Sequence, residues 1–197
     1  MTTESPNPSV RSRRLGRAER RDQIVEAATK AFTREGGFAH TKLDDVADAA
    51  GVTRMILYRH FDSKADLYRA VIDRSAERLH AAATEGGALH DSAVANVVEW
   101  ARANPDGFRL LFRQAATEPV YRDDVRQLRN GMAETVRPYV DEAVSDERWA
   151  DWAAQVTTTV VIEAIAAWLD AGQPDPEQAT ERILRVVEGA VRGATGD

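Results

Sequence analysis

Three helix starts crowd into the stretch TKLDDVADAAGVTRMILYRHFDSK, residues 41 to 64, and that crowding constrains the fold more than any other feature. Thr41 is placed to cap a helix N-terminus, with Asp44 three residues on in a capping-box position, Asp standing for the usual Glu. Leu43, Val46, Ala47 and Ala50 form the buried stripe of that helix, and Gly51 stops it after about two turns. Thr53 is placed to cap a third helix running to about Phe61, and Ser63 with Asp66 repeats the capping box at the start of a fourth. Two short helices joined by a tight glycine turn cannot bury themselves alone. The segment from about Ala18 to Arg34 supplies the missing surface, because Ile24, Ala27, Ala28, Ala31 and Phe32 recur at i, i+3, i+4, i+7 and i+8. Gly36-Gly37 ends it. The pattern predicts a three-helix helix-turn-helix unit.

The rest of the chain also reads as helix. The periodicity predicts helices over 64–84, 91–103, 105–116, 121–145, 147–171 and 176–192, broken at Gly86-Gly87, Asn104-Pro105, Glu118-Pro119 and Gly172-Gln173-Pro174. Pro138 should kink or divide the 121–145 segment. No strand-like alternation or internal repeat is present, so the expectation is an all-α protein of about nine helices. Residues 1–16, rich in Ser, Pro, Thr and Arg, read as a disordered basic arm, 17–63 as the helix-turn-helix domain and 64–197 as a larger helical domain.

Composition narrows the function. The 197 residues include no cysteine, which excludes a disulfide framework, a thiolate nucleophile and a Cys-containing zinc site and makes a reducing cytoplasm the natural compartment. No apolar run suggests a membrane span, and MTTESPNPSVRSRRLGR lacks the apolar stretch of a signal peptide, so no membrane partner is expected. The formal net charge of −6 conceals an asymmetry: residues 10–64 carry twelve Lys or Arg against eight Asp or Glu, whereas residues 81–197 carry eleven against twenty. A basic working end on an acidic body follows. His40, His60, His80 and His90 are scattered, and neither HExxH nor a P-loop occurs. Catalysis, a metal and a cofactor are therefore not expected.

At about 100° per residue, Leu57 and Phe61 share one face of the third helix while Met55 and Arg59 point the opposite way. Arg54, Met55, Tyr58 and Arg59 lie on or beside the outer face, flanked by Ile56 and His60. These are the groups major-groove reading needs: Arg for guanine O6 and N7, an apolar group for the thymine methyl, and Tyr, His and Lys for phosphate. The arm from Arg11 through Arg13 and Arg14 to Arg17 is long enough to follow an adjacent minor groove.

The stretch from Thr41 to Thr53, followed by Leu57-Tyr58-Arg59-His60-Phe61-Asp62-Ser63-Lys64-Ala65-Asp66-Leu67, resembles the N-terminal domain of the TetR family of transcriptional regulators. The resemblance implies a third helix that enters the major groove of a palindromic operator, as double-stranded DNA. It assigns base-edge contacts to Arg54, Met55, Ile56 and Arg59, and phosphate contacts to Thr41, Lys42, Thr53, Tyr58, His60 and Lys64. The sequence departs from the family at Met55-Ile56, where a small residue or proline followed by Thr or Ser is most frequent, and at Lys42, where a second Thr is usual. The base preference of relatives should therefore not carry over.

The resemblance further implies that the acidic body binds an effector and dimerises. In the 147–171 helix, Val156, Val160, Val161, Ala164, Ile165, Trp168 and Leu169 spread apolar character over more than one face, and the last helix offers Ile183, Leu184, Val187, Ala190 and Val191. A homodimer built as a four-helix bundle would bury both, with Val160, Val161, Ile165, Trp168, Ile183, Leu184, Val187 and Val191 as interface candidates. A small, mostly apolar effector of unknown identity is expected among Trp100, Phe108, Leu111, Phe112, Met132, Tyr139, Trp149 and Trp152, with Glu163, Arg109, Arg113 or Gln114 as polar anchors. The reading is a ligand-released repressor. The alternative is a helical dimeric DNA-binding or interaction protein without a small-molecule response.

Overall fold

A computed structural model describes residues 16–84, 91–142 and 144–195; the expected arm with Arg11, Arg13 and Arg14, and the break at Gly86-Gly87, lie outside the described residues. The described residues hold helices and no strand: α1 (Arg17–Glu35), α2 (Leu43–Ala50), α3 (Arg54–Tyr58), α4 (Lys64–Thr84), α5 (Asp91–Ala103), α6 (Pro105–Arg109), α7 (Arg122–Asp141), α8 (Glu147–Asp170) and α9 (Pro176–Thr195). The all-α expectation and the element order agree with this. Two details differ. The predicted 105–116 helix ends as α6 and then passes through a π turn, Leu110–Gln114, and a 3₁₀ turn, Ala115–Thr117. Pro138 lies inside α7 without dividing it.

α1 ends because Gly36 and Gly37 adopt φ of 86° and 107°, where the Gly37 N–H donates back to the Phe32 carbonyl at 2.8 Å. Its buried stripe, Ile24, Val25, Ala28, Ala31 and Phe32, packs on α2 and α4. One cluster of buried side chains runs from Ile24, Val46 and Leu57 in the helix-turn-helix, through Tyr68 and Val71 of α4, to Ile165 of α8 and Ile183 of α9. The head therefore has no core separate from the body.

The joint between them is aromatic and hydrogen-bonded. Tyr68 of α4 sits 4.7 Å from Phe32 and 5.0 Å from Tyr121, ring centre to ring centre. The Tyr121 hydroxyl donates to the Ala65 carbonyl. Across the same joint the Thr33 hydroxyl donates to the Asp106 carbonyl at 3.1 Å, and the Gln114 amide donates to the Thr33 carbonyl at 3.0 Å. The end of α1 thus clasps both α6 and the π turn.

α8 packs against α7, α5, α6 and α9. With 24 residues and a mean hydropathy of 1.3 over its most apolar stretch it is, by length and composition, apolar enough to cross a membrane. The sequence reading had found no such run; 56% of that stretch is buried, as befits a core helix.

Candidate nucleic-acid interface

The two short helices are built from local signals, shifted from the predicted ones. Lys42, not Thr41, is the N-cap of α2, and the Asp45 carboxylate accepts the Lys42 N–H at 2.7 Å. Thr41 is displaced because its hydroxyl donates to the Gly37 carbonyl at 2.8 Å and the residue is 1% exposed. A phosphate contact through Thr41 is thereby corrected: the side chain faces inward. Gly51 closes α2 at φ 63°, and the Val52 N–H returns to the Ala47 carbonyl at 3.0 Å. Thr53 caps α3 through its backbone only, which leaves its exposed hydroxyl for other partners. Ser63 accepts the Asp66 N–H at 3.0 Å, but the Asp66 carboxylate takes the Asp62 N–H rather than that of Ser63.

Leu57 and Phe61 anchor α3 as predicted, at 1% and 3% exposure. The outer edge is left bare. Met55 is 70% exposed and Tyr58 50%, and Arg54, Arg59 and Lys42 are exposed beside them. Arg54 is held: one guanidinium nitrogen lies 3.5 Å from Asp44 and another 3.4 Å from the Tyr58 hydroxyl. Its pKa is raised by that hydroxyl first, then by Asp44. Ile56 stands at the edge of the helix, as its flanking place on the wheel implies, half-buried and partly packed on the core. Lys64 corrects a second expectation. Its ammonium donates to the Phe38 and Thr41 carbonyls at 2.7 and 3.0 Å and lies 4.2 Å over the Phe38 ring, so it ties α4 to the α1–α2 loop.

His60 faces a cluster of arginines. Burial, then Arg17, Arg21, Arg20 and Arg59, hold its pKa below the ordinary value, so the ring is neutral at pH 7.

The body's candidates separate more sharply. Phe108, Leu111 and Phe112 are fully packed core, Trp100 stacks on Phe108, and Met132 leans on the same cluster. Trp149 and Trp152 form an edge-to-face pair 5.4 Å apart on the surface of α8, 59% and 47% exposed. Neither lines the apolar cavity of the body, a correction that follows from their exposure on the surface of α8. Glu163 is paired with Arg113 at 2.8 Å and Arg109 with Asp170 at 3.1 Å, while Gln114 gives its amide N–H to the Thr33 carbonyl and keeps its Oε1 buried without a partner. The apolar cavity lies elsewhere, between α5, α7, α8 and α9, with a volume of about 320 Å³. Val94, Val136, Tyr139, Val161, Leu184, Val187 and Val191 line it, with Thr135 and Thr157 as polar points and Glu188 and Arg192 also at its wall. Of the predicted pocket residues only Tyr139 belongs to it. Sequence reasoning missed the rest because it followed aromatic residues, whereas valine, leucine and threonine build this wall.

Several interface candidates are corrected too. Val161, Ile165, Trp168, Ile183 and Val187 are buried within the protomer, and Trp168 donates its indole N–H to the Pro174 carbonyl at 2.9 Å. Val160 remains half-buried, and Leu184 and Val191 line the cavity. The large apolar groups left outward on these helices are Trp149 and Trp152 on α8 and Val186 on α9, whereas Val160 packs partly against the core.

Residues 24–71, which span α1 to the middle of α4, match the family model of bacterial regulatory proteins of the tetR family. Residues 24–71 thus form a DNA-binding domain of the tetR type. A curated relative, the HTH-type transcriptional activator FasR of Mycolicibacterium smegmatis, is 28% identical over 192 residues, covering 92% of this chain and 87% of the relative. Among solved structures, a TetR-like transcriptional regulator from Rhodococcus sp. RHA1 superposes with a TM-score of 0.79 at 21% identity, over 93% of this chain and all of that one. A TetR-family regulator from Streptomyces coelicolor gives 0.63 at 26% identity, over 90% and 97%. The proteins of that family are DNA-binding transcriptional regulators, not enzymes. Family members generally bind DNA as dimers.

Proposed function

We propose that this protein reads a palindromic operator as a homodimer and is released from it by a small, mostly apolar effector. The observation that carries the reading is the outer edge of α3, where Arg54, Met55, Tyr58 and Arg59 stand exposed on a helix whose other face is pinned by Leu57 and Phe61. An apolar side chain so exposed beside arginines suits a thymine methyl next to guanine. Arg54 reads a base edge with its fork already aligned by Asp44 and Tyr58, while Lys42, Thr53, Tyr58 and His60 hold phosphates. Lys64 and Thr41 act from behind by fixing the loop that presents Lys42.

The outward Trp149, Trp152 and Val186 support pairing of α8 and α9 with a second copy, which would set two recognition helices about 34–36 Å apart. The cavity between α5, α7, α8 and α9 supports an effector site. Its α5 wall packs on α4, and α4 begins in the head at Lys64, so an effector that repositions α5 acts on the separation of the heads. Operator and effector then weaken each other by the same factor. Repression is the proposed outcome where the operator overlaps a promoter. Activation is the second reading, favoured by the likeness to FasR, named an activator.

Operator selection from random DNA with the purified protein tests this. A two-half-site palindrome, bound by a species of twice 21.7 kDa in sedimentation, is the expected result. Binding without sequence preference, or by a monomer, overturns it. Transcription from the selected site in vitro decides the sign.

A further inference from the structure

Between the first turn of α1 and the end of α3 lies an open cleft of about 410 Å³ lined by Gly16, Arg17, Arg20, Ile56, Arg59 and His60. Its charge is all of one sign. Arg20 has only the neutral Gln23 amide as a partner, at 2.8 Å, and the side chains of Arg17 and Arg59 have no carboxylate or hydrogen-bond partner among the described residues. Elsewhere arginines pair off: Arg69 with Asp124, Arg74 with Asp22, Arg78 with Glu26, Arg113 with Glu163. Three guanidinium groups and an imidazole thus converge with nothing to neutralise them. Glu19, the carboxylate of the same α1 turn, is occupied by the Gly16 N–H at 2.8 Å. One ring nitrogen of His60, Nδ1, is buried without a hydrogen-bond partner.

We infer that Arg17, Arg20, Arg59 and the His60 imidazole form a subsite for one backbone phosphodiester of bound DNA, which is seated with uptake of a proton by His60. The inference rests on the operator reading above. Guanidinium forks are the groups that best match phosphate oxygens. Ile56 gives the cleft an apolar wall, which suits a sugar-phosphate unit more than a free ion, and the cleft adjoins Tyr58 on the phosphate side of α3.

The proton follows from the neighbours. In the free protein, the charged groups acting on His60 are arginines alone, Arg17, Arg21 and Arg20 from α1 and Arg59 from its own segment, and with burial they favour the neutral ring. Arg21 is also turned to the Phe61 ring, 4.6 Å from its centre. A phosphodiester in the cleft offsets these cations and stabilises the imidazolium. The ring then takes one proton from solvent at a ring nitrogen. The pKa in the complex is the higher one, so complex formation tightens as pH falls through the window between bound and free values.

The test is operator affinity between about pH 6 and pH 8 at constant ionic strength, together with an NMR titration of His60 with and without DNA. Expected is a gain of about three- to tenfold in affinity from pH 7.5 to pH 6, below the roughly thirtyfold limit that uptake of one full proton over that span sets. The gain should vanish in His60→Gln, and the His60 midpoint should rise when DNA is added. Arg17→Gln or Arg20→Gln should reduce the salt slope by roughly 0.9 on operator and random DNA alike, the value of one phosphate contact. A flat wild-type profile, a gain retained in His60→Gln, or an unmoved midpoint overturns the subsite. If His60→Gln fails to fold, the wild-type titration decides alone. Inorganic phosphate raising the midpoint as far as DNA does would assign the cleft to a free anion and equally overturn it. A selective operator bound without pH dependence refutes only the subsite, whereas a His60-linked affinity for all sequences alike refutes only the operator reading.

Discussion

Replacing Lys64 by methionine separates a structural tie from a DNA contact. The substitution keeps an unbranched apolar stem and removes the ammonium that donates to the Phe38 and Thr41 carbonyls and lies over the Phe38 ring. A hydrogen bond from a charged donor is worth about 1.5–3 kcal/mol and an exposed cation–π contact about 0.5–1 kcal/mol. Lys64 is half-buried, so water replaces part of what is lost and the lower figures apply. At those lower figures the two bonds and the ring contact come to about 3.5 kcal/mol, which water at the half-buried site reduces to about 2–3 kcal/mol; at a slope near 2 kcal/mol per molar this lowers a urea midpoint by about 1–1.5 M. The assay is urea unfolding followed by helical circular dichroism at fixed protein concentration, beside operator titrations at several salt concentrations. A phosphate contact predicts the opposite pattern: an unchanged midpoint and a salt slope smaller by about 0.9. That result would refute the tie.

Further outcomes follow from the same structure. Leu57→Ala, at a fully buried position, should cost about 2–5 kcal/mol, read in the same unfolding assay. Met55→Ala, at an exposed one, should leave stability within about 0.5 kcal/mol yet change the selected operator sequence. Arg54→Ala should relax preference at one base pair by about 1–3 kcal/mol, whereas Lys42→Ala should weaken all sequences alike, both read by selection and titration. Asp73 carries a raised pKa, chiefly through burial, opposed by Arg69 and reinforced by Asp124 and Glu77. The folded state holds its proton more tightly, so stability is lost as pH rises from the unfolded value of about 3.9 through the folded one. Asp73→Asn should therefore raise the melting temperature at pH 7 and not at pH 3. Val186→Arg on α9 should give a folded monomer in sedimentation.

The helix-turn-helix was legible because its signals are local. Gly51, the Leu57–Phe61 spacing and the apolar stripe of α1 each act within one or two turns, and the structure uses all three. The exact cap was not legible: Thr41 and Lys42 are adjacent, and only the fold of the preceding Gly36-Gly37 turn brings a carbonyl to the Thr41 hydroxyl. Lys64 misled for the same reason, since nothing in the sequence says that Phe38 and Thr41 turn their carbonyls toward it. In the body, apolar spacing marked which residues of α8 and α9 are buried but not against what. Val161 and Val187 face a cavity, Ile165 and Ile183 the core, and Trp149 and Trp152 solvent. The choice among these depends on where α5 and α7 cross, and crossing angles are not written in one helix's own residues.

The clasp of Thr33 and Gln114 and the continuous core from Ile24 to Ile183 bear on exchange of parts between regulators. A head cut at the start of α4 would lose Tyr68, leaving Phe32 and Phe38 uncovered and the Thr33 carbonyl without Gln114. Chimeras that move this DNA specificity to another body should fail at that boundary and succeed only when residues 105–121 travel with the head. On the proposed reading, operator choice is in that sense not a detachable module: changing Arg54 and Met55 in place should give a new binding specificity more readily than recombination.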